Sequence, residues 1–210
     1  MTWTLVVPVK HTANGKSRLA PYIGRRRPEL AHAMTLDTVQ AALAAPSVAR
    51  MIAVTNDPVL TRDLTRMGVT VTPDQPDHGL NAALLLGAAV AQRDHPEHGI
   101  AAMSTDLPAL RSAELDRALV AATPHPQAFV PDAQGIGTTL YASGPGEVFR
   151  PRFGGPSRTA HRAAGAVELT LPDIPTLRRD VDVEQDLDEA VGLGIGTRTG
   201  QLLARLGALV

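Results

Sequence analysis

Cysteine is absent from this 210-residue chain, which excludes disulfides, thiol nucleophiles and zinc ribbons. A chain without thiols sits comfortably in a reducing compartment, and the cytoplasm is the expected location. Charge of either sign is not in excess: 20 basic residues face 21 acidic ones, for a net charge of -1. A nucleic-acid or membrane-surface partner, which calls for a basic excess or stripe, is therefore not expected. The longest apolar stretch, residues 80–91, is about half a membrane span and is interrupted by Asn81. No basic start precedes the short apolar run at the N-terminus, so a signal peptide is not expected either. Neither G-x-G-x-x-G after the first apolar run nor G-x-x-x-x-G-K-[ST] anywhere is found, which moves dinucleotide oxidoreductases and P-loop enzymes down the order. Lysine is scarce as well. Eighteen of the cations are Arg, and the only lysines, Lys10 and Lys16, both fall in the first 16 positions. An ammonium is a compact point charge suited to phosphates, whereas a guanidinium is a planar fork. The bland alternative is an Arg-rich composition with two chance survivors.

What is present is a chain of globular composition, 44% hydrophobic and 20% charged, with 18 Gly and 17 Pro to supply many turns. Its length suits one domain with a real core. Residues 3–9 form a Val-rich apolar run, the pattern of a strand buried on both faces in a parallel sheet. The spacing predicts a helix over 28–45, a strand over 48–55 and a helix over 57–67 capped by Asp57. A strand over 69–72, a helix over 80–94 and a strand over 100–104 follow. A helix over 112–122, with Ser112 as its cap, completes the first half. Strands over 128–131 and 138–142 flank a glycine loop, and a helix over 157–164, a strand over 166–171 and helices over 183–191 and 201–209 end the chain. The expectation is a single-domain α/β fold, a mostly parallel sheet with helices on both faces and a less regular second half.

Ligands of such sheets bind outside the C-terminal strand ends, and the polar clusters fall there. Lys10, Lys16 and Arg18 on the loop after the first strand suit an oligophosphate. Gln75 and Asn81 offer paired donors and acceptors for a base edge, and Gly79 at a helix start allows close approach of a ligand. Asp106, following a buried strand, fits a magnesium ligand, since magnesium is usually held by one or two carboxylates plus substrate phosphates. Asp180 and Asp182 point to one side of an extended segment, although Asp182 could equally be a helix cap with Gln185 three residues on. Gly135, Gly137 and Thr138, with Gly154, Gly155 and Ser157, read as an anion pocket, in which Ser157 has simple capping as its alternative. His161, with no nucleophile arranged beside it, reads as structural.

The ordered set formed by Pro8-Val9-Lys10, Lys16-Ser17-Arg18-Leu19, Gly79-Leu80-Asn81, Asp106-Leu107-Pro108, Gly135 to Leu140, Phe153 to His161 and Arg179 to Asp182 closely resembles the guanylyltransferases of deazaflavin coenzyme F-420 biosynthesis. That family comprises the 2-phospho-L-lactate enzymes and their actinobacterial phosphoenolpyruvate relatives. The resemblance implies a Rossmann-like nucleotidyltransferase fold and transfer of GMP from GTP to phosphoenolpyruvate or 2-phospho-L-lactate, with release of pyrophosphate. It assigns two magnesium ions to Asp106, Asp180 and Asp182, and the acid to Thr138, Gly154 or Gly155, and Ser157. It brings Lys10, Lys16 and Arg18 to the GTP phosphates, with Lys16 and Asp106 in catalytic roles, and Gln75, Gly79 and Asn81 to guanine and ribose. The Arg- and Ala-rich composition favours phosphoenolpyruvate, and hand-over of an unstable product to the next transferase is implied. The alternatives are a molybdenum-cofactor or sugar-phosphate nucleotidyltransferase, or an inactive nucleotide-binding regulator.

Overall fold

The computed structural model describes residues 1–9, 17–75 and 77–207; Lys10 and Lys16 lie outside the described residues. Strands β1 (Trp3–Pro8), β2 (Val48–Val54), β3 (Thr70–Thr72), β4 (Gly99–Met103), β5 (Gln127–Pro131), β6 (Thr138–Ser143) and β7 (Val167–Glu168) form one sheet. Its order is β3-β2-β1-β4-β6-β5-β7. The first four strands are mutually parallel, as their apolar sequences require, but β6 runs antiparallel to both β4 and β5. The second half is thus a hairpin inserted beside β4, with β7 parallel to β5.

Period-two alternation divides the core. Leu5 and Val7 of β1 face one side, where Leu36 and Val39 of α2 (Arg27–Leu43), Leu60 and Leu64 of α3 (Pro58–Arg66) and Leu115 and Leu119 of α5 (Ser112–Ala122) cover them. Val6 faces the other, against Leu84 and Ala88 of α4 (Leu80–Asp94). That helix approaches so closely that a Cβ on Gly87 would lie 2.4 Å from Val6 Cγ1. A third apolar cluster joins Leu30 and Met34 of α2 to Val181, to Leu187 of α8 (Glu184–Leu193) and to Leu202 and Leu203 of α9 (Thr197–Arg205).

Several local readings need correction. Ser112 does not cap α5; Arg111 holds that position without a side-chain cap bond. The strand expected over 166–171 shrinks to the two residues of β7. The last helix starts at Thr197 rather than 201, because its cap comes from far away: the Asp37 carboxylate on α2 accepts from the Arg198 and Thr199 amides at 3.2 and 2.7 Å. By contrast, Asp57 caps α3 as the sequence suggests, accepting from Val59 N and Leu60 N. Short helices α1 (Ala20–Ile23), α6 (Ser157–Ala163) and α7 (Pro175–Arg178) complete the chain. Among the described residues no helix is long and apolar enough to cross a membrane.

Candidate active site

β1 is the strand at which the winding reverses, with β2 and β3 on one side and β4 on the other, and the crevice at such a reversal is where open α/β sheets bind ligands. Asp106 lies three residues beyond β4 at this edge. Its segment is anchored from α2, where Thr38 Oγ1 accepts from the Leu107 amide at 3.1 Å. The 180–182 segment runs alongside it, with the Val181 amide donating to the Asp106 carbonyl at 3.0 Å. Val181 is fully buried, whereas Asp180 on one side of it is half-buried and Asp182 on the other is exposed. One backbone hydrogen bond thereby joins carboxylates that are more than 70 residues apart in sequence.

The electrostatics register the crowding. Burial, and after it the charges of Asp106, Asp132 and Asp182, push the Asp180 carboxyl up to about 7. The four carboxylates are thus electrostatic neighbours, but no three of them converge within coordinating distance; among the described residues the group that does so is His95, Glu97 and His98. The capping alternative for Asp182 falls: Val183 is the N-cap of α8, and Asp186 accepts from the amides of Asp182 and Val183 at 2.9 and 3.0 Å.

Asp132 went unnoticed in the sequence. It follows β5, is 8% exposed, and accepts from Ile136 N at 2.9 Å and Gly137 N at 2.7 Å, closing the glycine loop on itself. A Cβ at position 137 would lie 2.5 Å from Asp132 Oδ2, which accounts for the glycine there. The signal available was Asp132 opening that loop, which reads first as an ordinary turn.

Thr138 starts β6 immediately after this loop and is joined to the second glycine turn through His161. The Arg152 amide donates to His161 Nε2 at 2.9 Å, so the proton of this neutral ring sits on Nδ1, which faces Thr138 Oγ1 at 3.0 Å. Burial pushes the imidazole down to about 4. Tyr141 stacks on the ring at 4.8 Å, while Phe129 and Phe153 approach at 5.5 and 5.4 Å. The structural reading of His161 holds, and its partner is an expected site residue. Gly154 and Gly155 have φ of +100° and +52° and are exposed, and a Cβ at either would meet open space, so conformation rather than crowding selects glycine there. Ser157 is buried, and Pro156, not Ser157, occupies the cap position of α6.

On the other side of the crevice, Gly79 takes φ +94° ahead of α4, with open space above it. Gln75 and Arg18 are exposed. Asn81 departs from the expectation. Its amide nitrogen donates to the Phe153 carbonyl and its amide oxygen accepts from the Phe153 amide, each at 2.9 Å, so it binds the second glycine turn. A separate group, His95, Glu97 and His98, lies before the opposite end of β4 from Asp106. Its members pair with one another, His95 Nδ1 and His98 Nε2 lying 3.4 and 3.3 Å from Glu97 Oε1, and His98 Nδ1 bonds Thr4 Oγ1.

The fold is shared with solved nucleotidyltransferases. A nucleotidyl transferase from Methanothermobacter thermautotrophicus superposes with a TM-score of 0.64 at 21% identity, covering 91% of this chain and 97% of that one. A 4-diphosphocytidyl-2C-methyl-D-erythritol synthase superposes at 0.58 and 14% identity, covering 91% and 97%. In sequence, the phosphoenolpyruvate guanylyltransferase of Streptomyces coelicolor is 53% identical over 98% of both chains. That of Thermomonospora curvata is 52% identical over 99% of this chain and 91% of its own. The family model described as guanylyl transferase, CofC like, matches residues 3–210, so the nucleotidyltransferase geometry and the sequence agree, and this chain belongs to the CofC-like guanylyl transferases.

Proposed function

We propose that this protein transfers GMP from GTP to phosphoenolpyruvate, releasing pyrophosphate, as a step of coenzyme F-420 biosynthesis. The observation that carries the reading is the meeting of Asp106 with the 180–182 segment at the crevice edge, beside the loops that lead to Thr138 and Ser157. Relatives above 50% identity over nearly the whole chain bear the corresponding name.

In this reading an oxygen of the acid's phosphate attacks the α-phosphorus of GTP in line. A new P–O bond forms as the bond to the pyrophosphate oxygen breaks, and no protein nucleophile is needed. Two polyanions must meet, so neutralisation is the main physical problem. Lys10, Lys16 and Arg18 would face the GTP phosphates, and Gln75 and Gly79 the guanosine. Thr138, Ser157 and an amide at Gly154 or Gly155 would hold the acid. Because Thr138 Oγ1 accepts a hydrogen bond from His161 Nδ1–H, the hydroxyl has its own hydrogen left to donate to an anion. Asp106, Asp180 and Asp182 would hold magnesium, in two ions, which would relieve the repulsion that Asp106 and Asp182 exert on the half-buried Asp180 carboxyl; their side chains would have to draw together around the metal. When bound there, magnesium supplies charge neutralisation to the phosphates. The product is an unstable phosphoanhydride, suited to direct hand-over to a following transferase in the cytoplasm.

Purified protein given GTP, magnesium, each acid and that following transferase should release pyrophosphate faster with phosphoenolpyruvate than with 2-phospho-L-lactate. Preference for CTP or UTP would overturn the guanylyl reading, and equal turnover of both acids would remove the assignment of phosphoenolpyruvate. Asp182→Asn should lower activity by orders of magnitude with little change in melting temperature.

A further inference from the structure

Asn81 was expected beside the nucleotide, yet its carboxamide is committed elsewhere. The two 2.9 Å bonds to Phe153 form a reciprocal pair, N–H to carbonyl and carbonyl to N–H, across 72 residues of sequence. Asn81 is the second residue of α4, two places after Gly79, and Phe153 is the residue before Gly154. The turn between Phe153 and Ser157 contains two exposed positive-φ glycines, and is further fixed by the Phe153 ring against His161 and by the Ser157 amide donating to the Gly155 carbonyl at 2.8 Å. One residue earlier, the Arg152 amide is fixed by His161. The turn is therefore held from two sides, by α4 on the nucleotide side and by α6 on the acid side.

We infer that Asn81 is a positioning residue for the acid: it sets the 153–157 turn through Phe153 and ties its shape to the start of α4. This rests on the proposed assignment of Gly154, Gly155 and Ser157 to the acid. A carboxamide with both groups paired to one backbone residue is poorly placed to read a base edge. Its loss should appear in the acid rather than in nucleotide choice.

Steady-state kinetics with GTP, ATP and phosphoenolpyruvate on Asn81→Ala, Asn81→Asp and Ser157→Ala test this. Asn81→Ala should raise KM for phosphoenolpyruvate about tenfold, the effect of losing one to two ordinary hydrogen bonds, with the GTP-to-ATP preference unchanged. Asn81→Asp keeps the acceptor for the Phe153 amide and should show a smaller rise; it also serves if the alanine variant does not fold. Comparing GTP with ATP cancels the added charge, which both nucleotides meet equally. A changed GTP-to-ATP preference with an unaltered acid KM would make Asn81 a base reader and overturn the inference. If Ser157→Ala raises the acid KM and neither Asn81 variant does, the inference alone fails. If Ser157→Ala also leaves it unchanged, the acid pocket is misplaced and the inference falls with it.

Discussion

The carboxylate at position 180 is held where solvation is poor and where Asp106, Asp132 and Asp182 all oppose its charge. Such a group destabilises the fold at neutral pH, so Asp180→Asn should raise the melting temperature measured in chelator; if Asp180 is a ligand as proposed, the variant should also lack the rise expected of the parent protein in magnesium. Thermal denaturation with and without magnesium reads both effects, and a metal-induced rise surviving in the variant would remove Asp180 from the ligand set. His161 acts on stability in the opposite pH direction. Its imidazole is held at about 4 in the fold against about 6.5 when unfolded, so the unfolded chain takes up the proton first as pH falls. Stability from this residue is complete above about 6.5 and is lost progressively toward 4, on the order of 3 kcal/mol across that window. His161→Gln should start less stable and show a flatter decline of melting temperature between pH 7 and 4.5. At this scale the residues that the structure brings together as candidates were legible where packing offered no excuse for them, as with Asp106 and Asp180. It was illegible where one residue does two things. Asp132 is both the closure of a turn and a charge on Asp180, and only the first has a local signature.

Among the elements, α9 shows why boundaries escape a local reading. Its apolar positions Leu202 and Leu203 are visible, but its start is set by Asp37, about 160 residues earlier in the chain. Asp37→Ala should cost about 2 kcal/mol, since two buried helix-start amides lose their acceptor, and lower the melting temperature while leaving kcat per folded molecule unaltered. A variant as stable as the parent would mean that α9 is secured by its apolar contacts alone. The parallel half was readable because each buried strand is an apolar run between helices of clear period. The hairpin was not, because strands β5 and β6 carry the same apolar runs as parallel ones, and nothing local states that β6 enters between β4 and β5. The pairing of Asn81 was hidden for the same reason, its partner Phe153 being remote.

Across the whole molecule, the site straddles two constructions. Asp106 belongs to the parallel half, whereas Asp132 and Thr138 belong to the hairpin whose β6 seals against β4, with the Ser104 amide donating to the Thr139 carbonyl at 3.0 Å. A hairpin closes in microseconds, whereas parallel pairing waits on long loops, so the two halves have unequal routes to their native form. The single tryptophan, Trp3, is buried in β1 and reports on the parallel half. During refolding, nucleotidyl transfer should return no earlier than the Trp3 fluorescence change, and activity leading fluorescence would contradict this order. The seam between β4 and β6 thus acts as an assembly checkpoint. Until it closes, Asp132 stays apart from Asp106 and Asp180, so the full repulsion that raises the Asp180 carboxyl arises only with the finished sheet.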